Sequence, residues 1–342
     1  MKLLSQNLQF FDTHEPQDLD VILDKIAPSK VLASEYGWLF LANDTNEFLS
    51  YYLGKKRWSD QDRQQARSVI SRRLDYFIQR KITYLKIIIP EKSVVYSNYL
   101  PRILTGSAAR DRPAFMMSDD FSECTLYMAD YLTDARSFGK IYFRGDTHTT
   151  WLGAWLVYRQ AINFLCESGS TELVPLPLSC LQPALAGWEG DLWTKISTAQ
   201  SVVFTSQWGF AMPTYGFEVA TSFVLPDKNR VAWRVTVPDE YQNWFRSRET
   251  FVYERPDGHG LKAVIFRDST MDLCMDFFAQ HFSRSVFVWY QGNVVEDVIE
   301  REKPDIVLHM MAERFVSRYP HMEALTNMSR IADSDDSAGE VL

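Results

Sequence analysis

An apolar run leads directly into a serine in the stretch Lys262-Ala-Val-Ile-Phe-Arg-Asp-Ser-Thr270. Its length and apolar character are typical of a central strand of a parallel sheet, and a helix-like run follows from Thr270. In α/β sheets the ligand crevice lies beyond the carboxyl ends of the strands, and this is where the pattern puts Ser269. The backbone N–H of Ser269 would lie in the first helical turn, without a partner inside the helix, and is able to stabilise an oxyanion. The simpler alternative is that Asp268 or Ser269 only caps the helix.

A second informative stretch is Tyr142-Phe-Arg-Gly-Asp-Thr-His-Thr-Thr-Trp-Leu-Gly-Ala154, which offers a carboxylate and an imidazole two residues apart. Alternate residues of an extended segment point to the same side, so Asp146 and His148 face one way. A carboxylate that accepts from one ring nitrogen sets the tautomer and leaves the other nitrogen as a base. Together with Ser269, the pair supplies a nucleophile, a base and an orienting carboxylate, which indicates acyl transfer or ester hydrolysis. A turn aspartate beside a surface histidine is the simpler alternative.

The Asp-x-His pair is also able to chelate a metal ion, with a third ligand required from His281, His309 or His321. None of these three histidines has a local spacing that supports such a site. The four cysteines form no CxxC pair of the kind that binds zinc: Cys124, Cys166, Cys180 and Cys274. We therefore expect neither a metal nor a cofactor.

The composition is that of a globular protein with an acidic balance. The chain has 342 residues, of which 46% are hydrophobic and 23% charged, and its net charge is −8. This charge gives no basic surface for nucleic acid, so we expect no nucleic-acid partner. The aromatic share of 14% is high, and aromatic side chains line some sugar-binding grooves, but buried aromatic residues more often belong to the core.

The apolar periodicity predicts an α/β protein. Ser59 is a candidate N-cap for a helix with one apolar face through residue 77, and a buried strand over 82–89 ends at Pro90. Residues 168–255 differ, because prolines and alternating segments there indicate a β-rich insertion. The remaining predicted elements are helix 123–136, strand 140–143, helix 151–166, strand 262–266, helix 271–282, strand 285–289, helix 294–302, strand 305–308 and helix 310–318.

Short motifs in a characteristic order extend over roughly residues 31–320. The motifs are Tyr36-Gly-Trp-Leu-Phe-Leu41, Ile88-Ile-Pro-Glu-Lys92, Val95-Tyr96, Tyr99-Leu-Pro101, Tyr142-Phe-Arg-Gly-Asp-Thr-His148, Leu152-Gly-Ala154, Phe266-Arg-Asp-Ser269, Phe282-Ser-Arg284, Val288-Trp289, Lys303-Pro-Asp-Ile-Val307 and Glu313-Arg314. In these motifs and their order, the chain resembles the alginate O-acetyltransferase group of SGNH-hydrolase-like proteins. The resemblance implies a flavodoxin-like three-layer α/β sheet, with the Asp-x-His motif ahead of the serine in a permuted order. It also implies that Ser269 is the nucleophile, His148 the base and Asp146 its orienting partner.

Members of that group acetylate exopolysaccharide hydroxyls through an acetyl-enzyme, with acetyl groups delivered by a membrane-bound O-acyltransferase. The resemblance therefore implies an O-acetyltransferase with a polysaccharide or glycan-precursor acceptor and that acyltransferase as donor. An O-acetyl esterase with the same triad and a non-catalytic carbohydrate-binding relative are the alternatives. Thr149 stands where the family usually has tryptophan, and Thr270 where phenylalanine is frequent, and both differences bear on the acceptor pocket.

We predict an irregular segment over residues 1–30, an SGNH-like catalytic domain over 31–325 with the β-rich insertion at about 168–255, and a disordered acidic tail over 326–342. The first residues lack the apolar region of a signal peptide, so we expect a cytoplasmic protein, or a periplasmic one if the true start lies upstream. No run approaches the roughly 18–20 apolar residues of a membrane helix. We also expect a monomer.

Overall fold

The computed structural model describes residues 8–12, 31–34, 36–44, 46–101, 104, 109–167, 169, 172–198, 201–205, 217–244, 250–289 and 293–327. Over these residues, no helix is both long and apolar enough to cross a membrane. The strands are β1 Leu8–Asp12, β2 Val31–Ala33, β3 Leu39–Leu41, β4 Thr83–Ile89, β5 Thr125–Tyr127, β6 Gln182–Glu189, β7 Ser201–Thr205, β8 Phe217–Val224, β9 Trp233–Val235, β10 Phe251–Glu254, β11 Lys262–Arg267, β12 Arg284–Trp289 and β13 Ile306–Ala312. The α-helices are α1 Phe48–Tyr52, α2 Asp60–Gln79, α3 Lys92–Val95, α4 Pro113–Asp120, α5 Ala129–Asp134, α6 Trp151–Glu167, α7 Asp191–Thr198, α8 Asp239–Trp244, α9 Met275–Ala279 and α10 Glu296–Glu302.

The central sheet has seven strands in the order β5-β4-β13-β11-β12-β10-β9. Its first five strands are parallel, and β10 and β9 extend it with antiparallel pairs. The parallel strands are nearly continuous apolar runs, as expected for strands covered on both faces. Two further sheets, with the orders β1-β7-β2-β3 and β6-β8, stand beside it.

Helices cover both faces of the central sheet. Successive side chains of a strand point to opposite faces, so they pack alternately into two hydrophobic clusters, one under each layer of helices. Leu85 and Ile87 pack on the side of α6, whereas Tyr84 and Ile88 pack on the side of α2. This three-layer α/β arrangement confirms the predicted fold class. Helix α2 begins as predicted, since the Ser59 hydroxyl accepts from the backbone N–H of Asp62 at 3.1 Å.

Four predicted elements were wrong in type or extent. The helix predicted over 123–136 is a strand, β5, followed by α5, because the residues of β5 pair with β4. The strand predicted over 140–143 is reduced to one isolated bridge between Tyr142 and Thr149. The helix predicted over 271–282 is a 3₁₀ turn, Ser269–Met271, followed by the short α9, and the helix predicted over 310–318 is the end of β13 followed by the 3₁₀ helix Glu313–His321. Short apolar runs fit either structure, and pairing with a neighbouring strand decided the first and last cases.

The regions at the ends of the chain are described only in part. Within the segment predicted to be irregular, residues 8–12 form β1, which pairs in parallel with β7. Residues 1–7, 13–30 and 328–342 lie outside the described residues, and with them nearly all of the predicted acidic tail. Between 168 and 255, β9 and β10 join the central sheet, whereas β6 and β8 form a separate ribbon. The proposed domain boundaries stay a prediction.

Candidate active site

The charged and polar motif residues meet at the carboxyl edge of the central sheet. Glu91 and Lys92 follow β4, Glu313 and Arg314 follow β13, and Ser269 follows β11. Neighbouring strands lie about 4.8 Å apart, so the ends of β4 and β11, with β13 between them, are separated by roughly 10 Å. This edge is where a parallel sheet places its ligand crevice.

The serine stands in a turn held by a buried aspartate. The Asp268 carboxylate accepts from the backbone N–H of Thr270 at 2.9 Å and from the backbone N–H of Ala312 at 2.7 Å, and it also accepts from the Thr270 hydroxyl. The predicted capping role therefore belongs to Asp268 and not to Ser269. Ser269 is partly exposed at the start of a 3₁₀ turn, so its predicted place at the start of an α-helix was wrong.

The loop that carries Asp146 and His148 is anchored by Lys92. The Lys92 ammonium group donates to the backbone carbonyls of Phe143 at 2.9 Å, Arg144 at 2.8 Å and Asp146 at 2.6 Å. The side chain is buried, and burial lowers its pKa to about 8 against the opposing effect of Asp146 and other carboxylates. Lys92 therefore ties the loop to the end of β4.

The Asp146 carboxylate accepts from four N–H donors. Its Oδ1 accepts from the backbone N–H of His148 at 2.7 Å and faces Nδ1 of the same residue at 2.5 Å. Its Oδ2 accepts from the indole N–H of Trp188 at 2.8 Å and the backbone N–H of Asp191 at 2.9 Å. Burial alone would raise the pKa of Asp146, but the hydrogen bonds and charge of His148 and the hydrogen bond from the Asp191 backbone N–H outweigh burial and hold this pKa below its usual range. The group is therefore an ionised carboxylate with its acceptor sites filled.

His148 has the arrangement of a general base. Burial lowers its pKa, but the hydrogen bond to Asp146 and the charges of Asp146 and Asp191 outweigh burial, so the pKa is raised overall. With Nδ1 directed at Asp146, the neutral ring carries its proton there, and Nε2 keeps a lone pair. Nε2 is buried and has no hydrogen-bond partner within the described part of the chain.

Arg314 links the histidine loop to the serine turn electrostatically. The positive charge of Arg314 lowers the pKa of His148. Burial disfavours the charged form of Arg314, whereas the nearby carboxylates of Glu91 and Asp268 stabilise that form. A hydrogen bond of 2.8 Å to Glu91 holds the guanidinium in place. The structure thus brings Asp146, His148 and Ser269 to one edge of the sheet and forms the first contact of the predicted triad. The contact between His148 Nε2 and the Ser269 hydroxyl is not formed, and such contacts are often loose without substrate.

The metal alternative is not supported by the geometry. Asp146, His148 and Asp191 are the described residues whose ligand atoms come close together, within 4.8 Å of one another. However, the four N–H donors already fill the acceptor sites of Asp146, and Asp191 accepts from Thr147. The three histidines suggested as third ligands lie elsewhere: His309 contacts Tyr84, His281 contacts Tyr158, and His321 interacts with Asp62. The set therefore has the form of a hydrogen-bonded Asp–His pair rather than an open ligand cage.

Sequence reasoning missed Trp188 and Asp191 as neighbours of the site. Neither residue stands in a motif with Asp146, and both fall in the region interpreted as a β-rich insertion. Lys92 ends the motif Ile88-Ile-Pro-Glu-Lys92, but no local pattern assigned it a role. Only the folded backbone brings these side chains to the loop.

Comparison with known proteins agrees with the geometry. Residues 31–200 match the sequence profile of a family described as an SGNH hydrolase-like domain, acetyltransferase AlgX. This segment includes Asp146 and His148 and ends before Ser269. The match confirms the resemblance to the alginate O-acetyltransferase group, the SGNH-hydrolase-like fold and O-acyltransferase as the enzyme class.

Solved structures of the same fold cover most of the chain. PatB1 of Bacillus cereus is 14% identical with a TM-score of 0.58, and the similarity covers 84% of this chain and 96% of PatB1. A DHHW family protein from Eubacterium siraeum is 15% identical with a TM-score of 0.52, covering 85% and 96%. The O-acetyltransferase domain of Pseudomonas putida AlgJ is 14% identical with a TM-score of 0.50, covering 90% and 99%. At these identities the similarities show the fold alone, and a comparison with curated proteins finds no match.

Proposed function

We propose that this chain, whose residues 31–200 match an SGNH hydrolase-like acetyltransferase family, transfers an acetyl group through an acyl-enzyme on Ser269 to a glycan hydroxyl. One observation carries the mechanism. The Asp146 carboxylate is filled by four N–H donors, while the buried Nε2 of His148 has no partner among the described residues. A histidine held in this tautomer, at the sheet edge that also carries a serine, is suited to remove the proton of that serine.

The first half-reaction forms the acetyl-enzyme. The Ser269 oxygen attacks the carbonyl carbon of the acetyl donor while Nε2 of His148 takes the hydroxyl proton, and Asp146 stabilises the resulting imidazolium. Collapse of the tetrahedral intermediate breaks the bond to the leaving group, which receives the proton from Nε2. We assign the oxyanion to the backbone N–H of Ser269, because the N–H groups of Thr270 and Met271 are engaged with Asp268.

The second half-reaction transfers the acetyl group. An acceptor hydroxyl attacks the serine ester while its proton passes to Nε2, and collapse returns the proton to the Ser269 oxygen. If water enters in place of the acceptor, the same steps give an O-acetyl esterase. The family match favours the transferase.

The resemblance to the alginate O-acetyltransferase group suggests an acceptor and a donor. We propose a hydroxyl of a polysaccharide or of a glycan precursor as the acceptor, and a membrane-bound O-acyltransferase as the source of the acetyl group. The compartment decides between the two acceptors, because a cytoplasmic enzyme meets soluble or lipid-linked precursors and an exported one meets finished polymer. Cell fractionation of the native protein would separate these cases.

The test is intact mass spectrometry after incubation with p-nitrophenyl acetate, with and without a glycan acceptor. The wild-type protein should gain one acetyl group and lose it faster when the acceptor is present, with acetylated glycan as the product. Ser269→Ala should gain none. Because Asp268 provides the cap, this change should alter the free energy of unfolding by only about 0.5 kcal/mol or less.

Ser137→Ala is the matched control, because Ser137 is exposed and donates to the carbonyl of Asp134. Full acetylation and turnover in folded Ser269→Ala would overturn the assignment of the nucleophile. Acetyl loss at the same rate with and without acceptor, and no acetylated glycan, would identify an esterase.

A further inference from the structure

The indole of Trp188, near the end of β6, is held against the loop that carries Asp146. It stacks in parallel on the ring of Phe143, with centroids 4.8 Å apart, and meets the edge of Trp151 at 5.5 Å. Packing on two rings orients the indole, so its N–H points to Oδ2 of Asp146 at 2.8 Å. A tryptophan with its one polar atom directed at a buried carboxylate does more than fill space.

The residues after Trp188 close on the same loop from the other side. Gly190 approaches so tightly that a Cβ there would collide with the carbonyl of Gly145, which also accepts from the backbone N–H of Leu192 at 3.1 Å. This approach places the backbone N–H of Asp191 on Oδ2 of Asp146 at 2.9 Å. The Asp191 side chain accepts from the backbone N–H and the hydroxyl of Thr147, at 2.8 and 2.7 Å.

These contacts set the direction of the Asp146 carboxylate. Two donors from outside the loop occupy Oδ2, so the group cannot rotate, and Oδ1 is left facing Nδ1 of His148. Asp191 also brings a second negative charge close to the imidazole, whereas Arg314 supplies an opposing positive charge. Lys92, the other buried cation nearby, interacts with both aspartates.

We propose that Trp188 and Asp191 are positioning residues that hold Asp146 in the orientation that makes His148 a base with a free Nε2. The proposal rests on the proposed function for its effect on turnover, but its structural part concerns the Asp146–His148 pair alone. The indole N–H of Trp188 fixes the direction of Asp146 Oδ2. Asp191 contributes a backbone N–H to the same oxygen, hydrogen bonds to Thr147, and a negative charge close to His148. Neither residue needs to touch substrate.

The first test is Trp188→Phe, which keeps a ring on Phe143 and removes the indole N–H. We expect kcat to fall about 10- to 100-fold, as for a catalytic group displaced by a fraction of an ångström, with KM within about twofold of wild type. Histidine-labelled ¹⁵N NMR should show a smaller share of the Nδ1-protonated tautomer of His148. Trp233→Phe, at an exposed position on β9, is the matched control and should leave both readouts unchanged.

The second test is Asp191→Asn, which removes the charge and keeps the size and the backbone N–H. The negative charge raises the pKa of His148, so its loss should move the NMR titration of His148, and the acid limb of the pH–rate profile, to lower pH. Asp227→Asn is the control, since it makes the same charge change at a side chain that is 86% exposed.

The experiments distinguish a failure of the positioning roles from a failure of the proposed function. An unchanged tautomer and unchanged kcat in Trp188→Phe, or an unmoved titration in Asp191→Asn, would overturn the positioning roles even if Ser269 forms an acyl-enzyme. Because the NMR titration needs no turnover, it also decides on positioning if Ser269→Ala proves fully active and the proposed function fails. If Trp188→Phe does not fold, Asp191→Asn still decides on the role of Asp191, because it changes no apolar contact.

Discussion

Replacing Asp146 with asparagine tests the reading of the site directly, because the carboxylate accepts four N–H groups and an amide accepts only two. The asparagine has two orientations. In the first, its oxygen faces His148, and its NH₂ group faces the N–H groups of Trp188 and Asp191, leaving two partly buried donors unpaired. In the second, its NH₂ group faces His148, whose ring then presents a lone pair at Nδ1, and only the backbone N–H of His148 is unpaired.

The difference between the orientations decides the outcome. An unpaired buried donor costs about 1–3 kcal/mol, so the second orientation is favoured by about that amount. It places the ring proton on Nε2, where the base is needed, and a wrong tautomer of this kind lowers kcat about 10⁴-fold in a serine protease triad. A preference of about 1–3 kcal/mol corresponds to about a 5- to 160-fold excess of the wrong tautomer, and the negative charge that stabilises the imidazolium is lost as well. We therefore expect Asp146→Asn to lose about 10²- to 10⁴-fold in kcat and about 1–3 kcal/mol in the free energy of unfolding.

The assay is the kinetics of p-nitrophenyl acetate turnover, with stability measured by urea unfolding and the tautomer by ¹⁵N NMR. The double variant Asp146→Asn/Trp188→Phe gives the sharper check. Without the indole N–H, each orientation leaves one donor unpaired, so the orientation that gives the productive tautomer is no longer disfavoured and kcat should exceed that of Asp146→Asn. A double variant that loses the full product of the two single losses would refute this account of how Oδ2 is held.

Two further predictions concern stability. Lys92→Met should lower the free energy of unfolding by about 3 kcal/mol in urea denaturation, because three backbone carbonyls lose a donor at about 1 kcal/mol each; the exposed control Lys228→Met should change it little, and equal losses in the two variants would contradict the anchoring role. The raised pKa of His148 means that its stabilising contribution is fully present below its unfolded value of about 6.5 and is lost as pH rises through the folded value. The difference in unfolding free energy between wild type and His148→Gln should therefore shrink as pH rises above about 6.5. A difference that stays constant up to pH 9 would exclude a stabilising contribution from protonated His148.

Periodicity predicted the fold best where an element is long or buried. Helix α2 has twenty residues, one apolar face and a serine cap, so local signals agree with its final structure. The parallel strands β4, β11 and β12 were also predicted close to their observed limits, because they are apolar runs bounded by polar residues. Residues 125–127 and 310–312 were assigned to helices, since their type depends on pairing with β4, which no local pattern records.

In the site as well, contacts between residues close in sequence could be predicted, whereas contacts with distant residues could not. Asp146 and His148 lie two residues apart, so their contact follows from local geometry and was predicted from the sequence. Asp268 and Ser269 are adjacent, but which of them caps the turn depends on the backbone N–H of Ala312, which β13 brings from far along the chain. Trp188 and Asp191 carry no local sign of their role, because their contacts exist only after β6 and α7 close on the loop.

The buried carboxylate of Asp146 explains why that closure matters. Burial opposes its charge, and the hydrogen bonds of His148 supply donors for only one of its two oxygens. The donors for the other oxygen come from the end of β6 and the start of α7, so an ionised Asp146 and a correctly oriented His148 require this segment to be in place. The family match, which ends at residue 200 just past α7, covers both halves of this arrangement. The segment interpreted from sequence as an insertion therefore contains two residues, Trp188 and Asp191, on which the proposed base depends.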